Sequence, residues 1–185
     1  MSFIVSLVIV LATNACHSGI SSKSELRDYI HKSGNGLFKV LHFPNGVQVG
    51  LQYMPAELLS KKLNVIDKFF FILSFSMQGK ELLGQLDPNT YSEMVQVFSF
   101  RMLPYINMRN GNKVSIQAMD CFFQQTFGMT GANELLVVFD ARKIRGRKDL
   151  KIVVGEFGLN LGDMNFDFAV KDIDEIKNIV DKNLQ

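Results

Sequence analysis

The sequence has few of the residues on which metal sites and disulfide-rich folds depend. Its 185 residues include two cysteines, three histidines and no tryptophan. His17, His31 and His42 do not stand at metal-ligand spacing from one another, from a cysteine or from a carboxylate, and no HExxH motif occurs. Two cysteines are too few for the disulfide framework of a small secreted domain. We therefore expect neither a metal nor another cofactor.

Motifs for nucleophilic catalysis and phosphate binding are also missing. The sequence contains no GxSxG, GxxxxGK[ST] or GxGxxG pattern. Residues 155–162 carry three glycines at a different spacing, which predicts a bulged turn between strands. An enzyme would need carboxylates such as Glu93, Asp120 or Glu156 to converge in a cleft. The net charge of +2 is too small to indicate a nucleic-acid partner. The sequence thus favours a protein that is not an enzyme.

The amino-terminal segment predicts the location of the protein. Residues 3–12 are apolar apart from Ser6, and no charged residue precedes Lys23. A run of roughly ten apolar residues is too short for a spanning helix, which needs about 20, but it suits the core of a signal peptide. A plain secretory peptide and a buried strand of a cytosolic protein remain alternatives.

The end of that segment resembles the lipobox of bacterial lipoproteins. Cys16 directly follows the small residue Ala15, while Thr13 stands where leucine is usual, as in the loosely defined lipobox of Bacteroidetes-type lipoproteins. The resemblance implies that residues 1–15 are a signal peptide, cleaved before Cys16, and that Cys16 receives a diacylglyceryl group and a further acyl chain such as palmitate. Residues 16–24 would form a tether and residues 25–185 a single domain, with the outer membrane as the expected location. More than one acyl chain is needed for stable anchoring.

Beyond the tether, hydrophobic periodicity and turn residues predict one α+β domain with a mainly antiparallel, curved sheet, short helices and a carboxy-terminal amphipathic helix. Pro44-Asn45-Gly46 joins two strand-like runs, which predicts a hairpin. The helices are predicted, with Ser24 capping the first, at residues 25–32, 56–63, 87–95 and 172–184. Further strands are predicted at residues 69–77, 96–103, 113–123, 134–140, 150–154 and 166–170.

Two side-chain groups are candidates for binding. The first is a basic run that predicts a solvated loop and, as the functional alternative, a contact with anionic lipid head groups or an acidic partner; it comprises Arg142, Lys143, Arg145, Arg147 and Lys148. The second is a set of phenylalanines that predicts core packing and, as the alternative, a cavity for an apolar ligand; it comprises Phe69, Phe70, Phe71, Phe75, Phe98, Phe100, Phe122, Phe123 and Phe127. Cys121 lies in an apolar run and is expected to be a buried thiol.

Short motifs along the mature chain extend the resemblance to uncharacterised Bacteroidetes-type lipoproteins. They are Asn35-Gly36-Leu37, Gln52-Tyr53-Met54-Pro55, residues 86–91 and Phe157-Gly158. The resemblance implies a cell-envelope location, with the membrane as partner through the lipid and another envelope protein as a further partner. It implies no catalytic residue. We therefore expect a lipid-anchored binding or assembly component, and as the alternative a carrier or chaperone for an apolar ligand in a phenylalanine-lined cavity.

Overall fold

A computed structural model describes residues 20–59, 66–110, 114–144 and 146–183 of the chain. The predicted α+β class is confirmed: three α-helices accompany antiparallel strands arranged in two sheets. The predicted signal peptide, the lipidation site Cys16 and the basic residue Arg145 lie outside the described residues. In the described part of the chain, no helix is both long enough and apolar enough to span a membrane.

The larger sheet has six strands: β1 (Phe38–His42), β2 (Val47–Met54), β3 (Lys68–Met77), β4 (Lys80–Glu81), β7 (Asp120–Phe123) and β8 (Asn133–Asp140). Its order is β1-β2-β3-β8-β7, and the short β4 pairs with the end of β3. The smaller sheet has four strands: β5 (Ile106–Asn110), β6 (Val114–Gln117), β9 (Asp149–Val154) and β10 (Met164–Ala169). Its order is β10-β9-β5-β6, and every pairing in both sheets is antiparallel.

The predicted hairpin is confirmed as β1–β2. The backbone N–H of Gly46 donates to the carbonyl of Phe43 at 2.9 Å, and Gly46 has φ +83°. Pro44 fixes φ near the value that the first central position of such a turn requires, and glycine adopts the left-handed conformation without a steric penalty. Register then places Val49 and Leu51 on the buried face of β2.

Local capping sets the helix boundaries. Helix α1 (Lys23–His31) begins after Ser22, whose hydroxyl accepts from the Glu25 N–H at 3.2 Å, so Ser24 is not the predicted cap. Asp87 caps α2 (Pro88–Gln96), which corresponds to the helix predicted at residues 87–95. The amphipathic helix α3 (Val170–Asn183) is also confirmed, with its buried face formed by Ile173, Ile176 and Val180. Ala56–Leu58 is a single 3-10 turn, and residues 60–63 of that predicted helix lie outside the described residues.

The strand predicted at residues 96–103 is wrong. Helix α2 continues instead into a π-helical turn, Val97–Arg101, and then a 3-10 turn, Leu103–Tyr105. In a strand, Phe98 and Phe100 would share one face. Here Phe98 is 1% exposed and Phe100 is 84% exposed, because the helical turn directs the two side chains to different environments.

The single strand predicted at residues 113–123 is also wrong, because the chain changes sheets within it. Strand β6 pairs with β5 in the smaller sheet, and β7 pairs with β8 in the larger one. Between them, the N–H of Ala118 donates to Ile106 at 3.0 Å and the N–H of Met119 donates to Val138 at 2.7 Å. Two consecutive amides thus bond to different sheets. Strand β5 lies in a stretch for which no strand was predicted.

An aromatic core joins the two sheets. Phe71 of β3 lies 5.3 Å, ring centroid to centroid, from Phe168 of β10, and Phe75 lies 5.6 Å from Phe157. These separations are typical of favourable aromatic pairs. The start of β3 is buried on both faces, because Phe69, Phe70 and Phe71 are 6%, 3% and 0% exposed. The sheets therefore share one hydrophobic core.

Candidate functional site: the basic loop and its cleft

The predicted basic run forms the connection between β8 and β9, which we call the basic loop (residues 141–148). It begins as a 3-10 turn, Ala141–Ile144, directly after Asp140. Asp140 is 5% exposed and accepts three hydrogen bonds from Arg142: from the backbone N–H and Nε at 2.9 Å each and from Nη2 at 2.8 Å. The Arg142 guanidinium holds the pKa of Asp140 at about 2. The carboxylate therefore stays ionised and fixes the start of the loop.

The other cations of the loop have different environments. Arg147 donates from Nε to the carbonyl of Lys143 at 3.2 Å, and its Nη1 atom is buried without a hydrogen-bond partner. A buried donor that lacks a partner is costly to the folded state. Lys143 and Lys148 are exposed. Among its described residues, the loop thus offers two exposed ammonium groups, whereas the charge of Arg142 is already matched by Asp140.

A cleft of about 470 Å³ lies beside the basic loop. Its walls come from the start of β3, the basic loop and the first turns of α3, and its lining residues are Asp67, Lys68, Phe69, Ala141, Gly146, Val170, Asp174 and Lys177. The N–H of Ala141 donates to the carbonyl of Asp67 at 2.8 Å, which joins the loop to the strand. The Lys177 ammonium lies 4.2 Å from the centroid of the Phe69 ring and 3.6 Å from an oxygen of Asp174. The cleft therefore presents two carboxylates and two ammonium groups around one aromatic ring.

The predicted phenylalanines divide into a core set and an exposed set. Phe69, Phe70, Phe71, Phe75 and Phe98 are buried, and Phe123 is half-buried. Phe100, Phe122 and Phe127 are 84%, 49% and 76% exposed. Phe69 is the one aromatic residue among those that line the cleft. The cleft thus combines four charged side chains with one aromatic ring, and the buried rings pack against one another.

The carboxylates considered for catalysis lie on separate elements. Glu93 is on α2, Asp120 begins the edge strand β7, and Glu156 follows β9 in the other sheet. Glu156 accepts from the N–H groups of Gly158 and Gly162 at 2.6 Å each and of Asn160 at 3.0 Å. Burial would raise its pKa, but these hydrogen bonds outweigh burial and lower it. In the loop predicted as a bulged turn, backbone N–H groups therefore donate to the side chain of Glu156 at its start. None of the three carboxylates lines the cleft.

Cys121 and the metal-binding residue types give no reactive centre in the described residues. Burial raises the pKa of the Cys121 thiol to about 12, so it stays protonated at neutral pH and is a poor nucleophile. No group of three or more histidine, cysteine, aspartate or glutamate side chains in the described part of the chain is arranged to hold a metal ion.

No sequence pattern indicated Glu81, the most extensively hydrogen-bonded carboxylate of the described residues. Its side chain is 4% exposed and accepts from Thr126 Oγ1 at 2.6 Å, Gly128 N at 2.8 Å and Thr130 Oγ1 at 2.8 Å. It also accepts from Thr130 N at 3.0 Å and Asn133 Nδ2 at 3.1 Å. These donors lie some 45 or more residues away in sequence. The glycines and threonines of residues 126–131 mark a turn, but nothing local identifies its acceptor.

Comparisons with known proteins add no assignment. No protein-family model, no curated protein and no solved structure matches the chain.

Proposed function

We propose that the protein is a lipid-anchored component of a bacterial cell envelope that acts by binding or assembly. The anchor part of the proposal rests on the sequence around Cys16. The binding part rests on one structural observation: buried carboxylates hold two exposed loops in fixed conformations. Asp140 holds the basic loop, and Glu81 holds the loop at residues 126–130. Preorganised loops lose little conformational entropy when a partner binds.

The state of these carboxylates supports binding over catalysis. A general acid or base needs a pKa near the working pH. Asp140 and Glu81 instead have pKa values of about 2, and protein donors occupy their oxygens. The carrier alternative would need an apolar cavity with aromatic walls. The cleft beside the basic loop has one aromatic residue and four charged ones, so its chemistry favours a polar or charged ligand.

Replacing the proposed lipidation site tests the anchor. We expect Cys16→Ser to leave the domain folded and to move the protein from the detergent phase to the aqueous phase in detergent partitioning, because no acyl chain can then be attached. Cys121→Ser is the matched control, since it removes the other thiol and should leave partitioning unchanged. Intact mass of native protein should show the polypeptide from residue 16 plus acyl groups. A chain that still begins at Met1 without an acyl increment would overturn the proposal.

Charge reversal on the basic loop tests its predicted contact with anionic lipid. In a Cys16→Ser background, we expect Lys143→Glu with Lys148→Glu to weaken sedimentation with phosphatidylglycerol vesicles by roughly 30-fold or more. Each basic residue near such a surface contributes about 1 kcal/mol, and the two new carboxylates add repulsion. Raising the salt concentration should weaken binding of the parent chain as well. The control pair is Lys32→Glu with Lys80→Glu, two exposed lysines elsewhere. Equal losses in both pairs, or no binding by the parent, would contradict the contact.

A further inference from the structure

The turn at residues 126–129, which we call the Phe127 turn, has an unusual residue in its first central position. The Met129 N–H donates to the Thr126 carbonyl at 3.1 Å, and the two central residues, Phe127 and Gly128, have φ +53° and +80°. Positive φ at both central positions defines a type I′ turn, which strongly favours asparagine, aspartate or glycine. A bulky side chain in this conformation is a genuine outlier, because its Cβ crowds the following carbonyl group.

The folded domain buries little of the apolar surface at this strained turn. Phe127 is 76% exposed and Met129, at the end of the turn, is 81% exposed. A strained conformation persists only where its surroundings enforce it, and such residues cluster at functional sites. Packing within the domain does not explain why phenylalanine occupies this position, because about three quarters of the residue is exposed. Its presence is explained if the ring contacts something outside the domain.

Glu81 enforces the conformation of the turn from beneath. Its buried carboxylate accepts from Thr126 Oγ1 before the turn, from Gly128 N within it and from Thr130 after it. The side chains of Phe127 and Met129 therefore extend from a backbone whose conformation is held by hydrogen bonds to Glu81 from the residues around them. Rigid aromatic anchors of this kind bind with a small entropy cost and dominate the energetics of protein interfaces.

A neighbouring turn of the same geometry provides an internal comparison. Gln78 and Gly79 have φ +53° and +71° and connect the paired residues Met77 and Lys80 of the β3–β4 hairpin. A Cβ atom at Gly131 would lie 3.4 Å from the Gly79 carbonyl oxygen, so the two turns are adjacent. The first central residue is polar in this turn and aromatic in the Phe127 turn. Turn geometry alone therefore does not call for an apolar side chain here.

We propose that Phe127 and Met129 form a preorganised anchor that inserts into an apolar pocket on a partner protein. The inference rests on the proposed binding or assembly function and names the surface that performs it. Charge favours a protein over a bilayer: residues 119–133 contain no lysine or arginine, and Asp120 is their one charged residue. The adjacent turn, residues 77–80, adds the single cation Lys80, so these two turns lack a cluster of cations. Surfaces that enter bacterial membranes combine apolar residues with cations that attract anionic lipid. A partner with an apolar pocket fits this surface better.

The first test measures strain. We expect Phe127→Asn to raise the melting temperature by about 2–4 °C, because asparagine tolerates the left-handed conformation. Gln78→Asn should raise it by a similar amount, and Phe100→Asn, at an exposed ring outside such a turn, should not. Phe127→Asn should also partition into detergent as the parent does, which separates this inference from the anchor. A fall in melting temperature on Phe127→Asn would contradict the strain on which the proposal depends.

The second test measures binding in the native envelope. A benzophenone amino acid in place of Phe127 should give a discrete protein adduct on irradiation, whereas the same group in place of Gln78 or Phe100 should not. A head-to-tail cyclic peptide of residues 125–131 should suppress the adduct at least tenfold, and the same peptide with asparagine in place of phenylalanine should not. Adducts to lipid alone, equal adducts from position 100, no adduct, or no competition by the cyclic peptide would each overturn the proposal.

Discussion

Replacing Phe71 with alanine is expected to lower the free energy of unfolding by about 3–5 kcal/mol, the range typical of deleting a large buried aromatic side chain. Phe71 is fully buried, and its ring lies 5.7 Å from Tyr53, 6.0 Å from Phe139 and 5.3 Å from Phe168. Three of these residues belong to the larger sheet and Phe168 to the smaller one. The substitution therefore leaves a cavity where the sheets meet, and the surrounding rings cannot collapse fully into it.

Urea unfolding followed by circular dichroism measures this effect. Phe71→Leu should cost less than Phe71→Ala, because most of the side-chain volume remains. Phe100→Ala is the matched control, since that ring is 84% exposed and its removal should change stability by less than about 0.5 kcal/mol. Equal and small effects of Phe71→Ala and Phe100→Ala would mean that the two sheets do not pack through this cluster.

Replacing Glu81 with glutamine is expected to lower the free energy of unfolding by about 2–3 kcal/mol at pH 7. Hydrogen bonds to a charged carboxylate become hydrogen bonds to a neutral amide oxygen, and the amide nitrogen of glutamine must face groups that are themselves donors. Burial alone would raise the pKa of Glu81, but donation from Thr126, Gly128 and Thr130 outweighs it and brings the pKa to about 2. The folded state therefore binds the proton less tightly than the unfolded state. The resulting stabilisation is present above pH 4.5 and is lost as the pH falls towards 2.

Denaturation at pH 7, 4 and 3 tests both parts of this expectation. The parent should lose stability across these values, and Glu81→Gln should lose less, since it no longer has this carboxylate to protonate. Asp140 has a similarly low pKa, so a residual acid dependence should persist in the variant. Glu134→Gln, an exposed carboxylate on β8, is the control and should behave as the parent does. A parallel pH dependence in Glu81→Gln and the parent would contradict the assigned role.

The sequence predicted correctly the elements whose boundaries depend on turn residues, helix caps or apolar spacing within the element itself. Pro44, Asn45 and Gly46 mark the first hairpin, Asp87 and Pro88 mark the start of α2, and apolar spacing marks α3. The error at residues 96–103 arose because alternating apolar and polar residues resemble a strand. A helix that is widened by a π turn and packed through Phe98 accommodates the same pattern. Periodicity over so short a stretch does not distinguish the two.

The candidate sites were predicted less completely, because they depend on contacts distant in sequence. The basic loop was evident from composition, but its cleft needs Phe69 and Lys177, which come from other elements. The Phe127 turn lies between the strands predicted at residues 113–123 and 134–140, in a stretch for which no element was predicted. Its significance depends on a carboxylate on β4 and on exposure that no local pattern reveals.

The consecutive amides of Ala118 and Met119 have a mechanical consequence for the whole domain. A single peptide unit separates the Ala118 hydrogen bond to the smaller sheet from the Met119 hydrogen bond to the larger sheet. The chain is therefore too short at this point to let the two sheets move apart. Separation of the two sheets would break one of these two hydrogen bonds. We therefore expect the two sheets to unfold in one transition, as small single domains usually do.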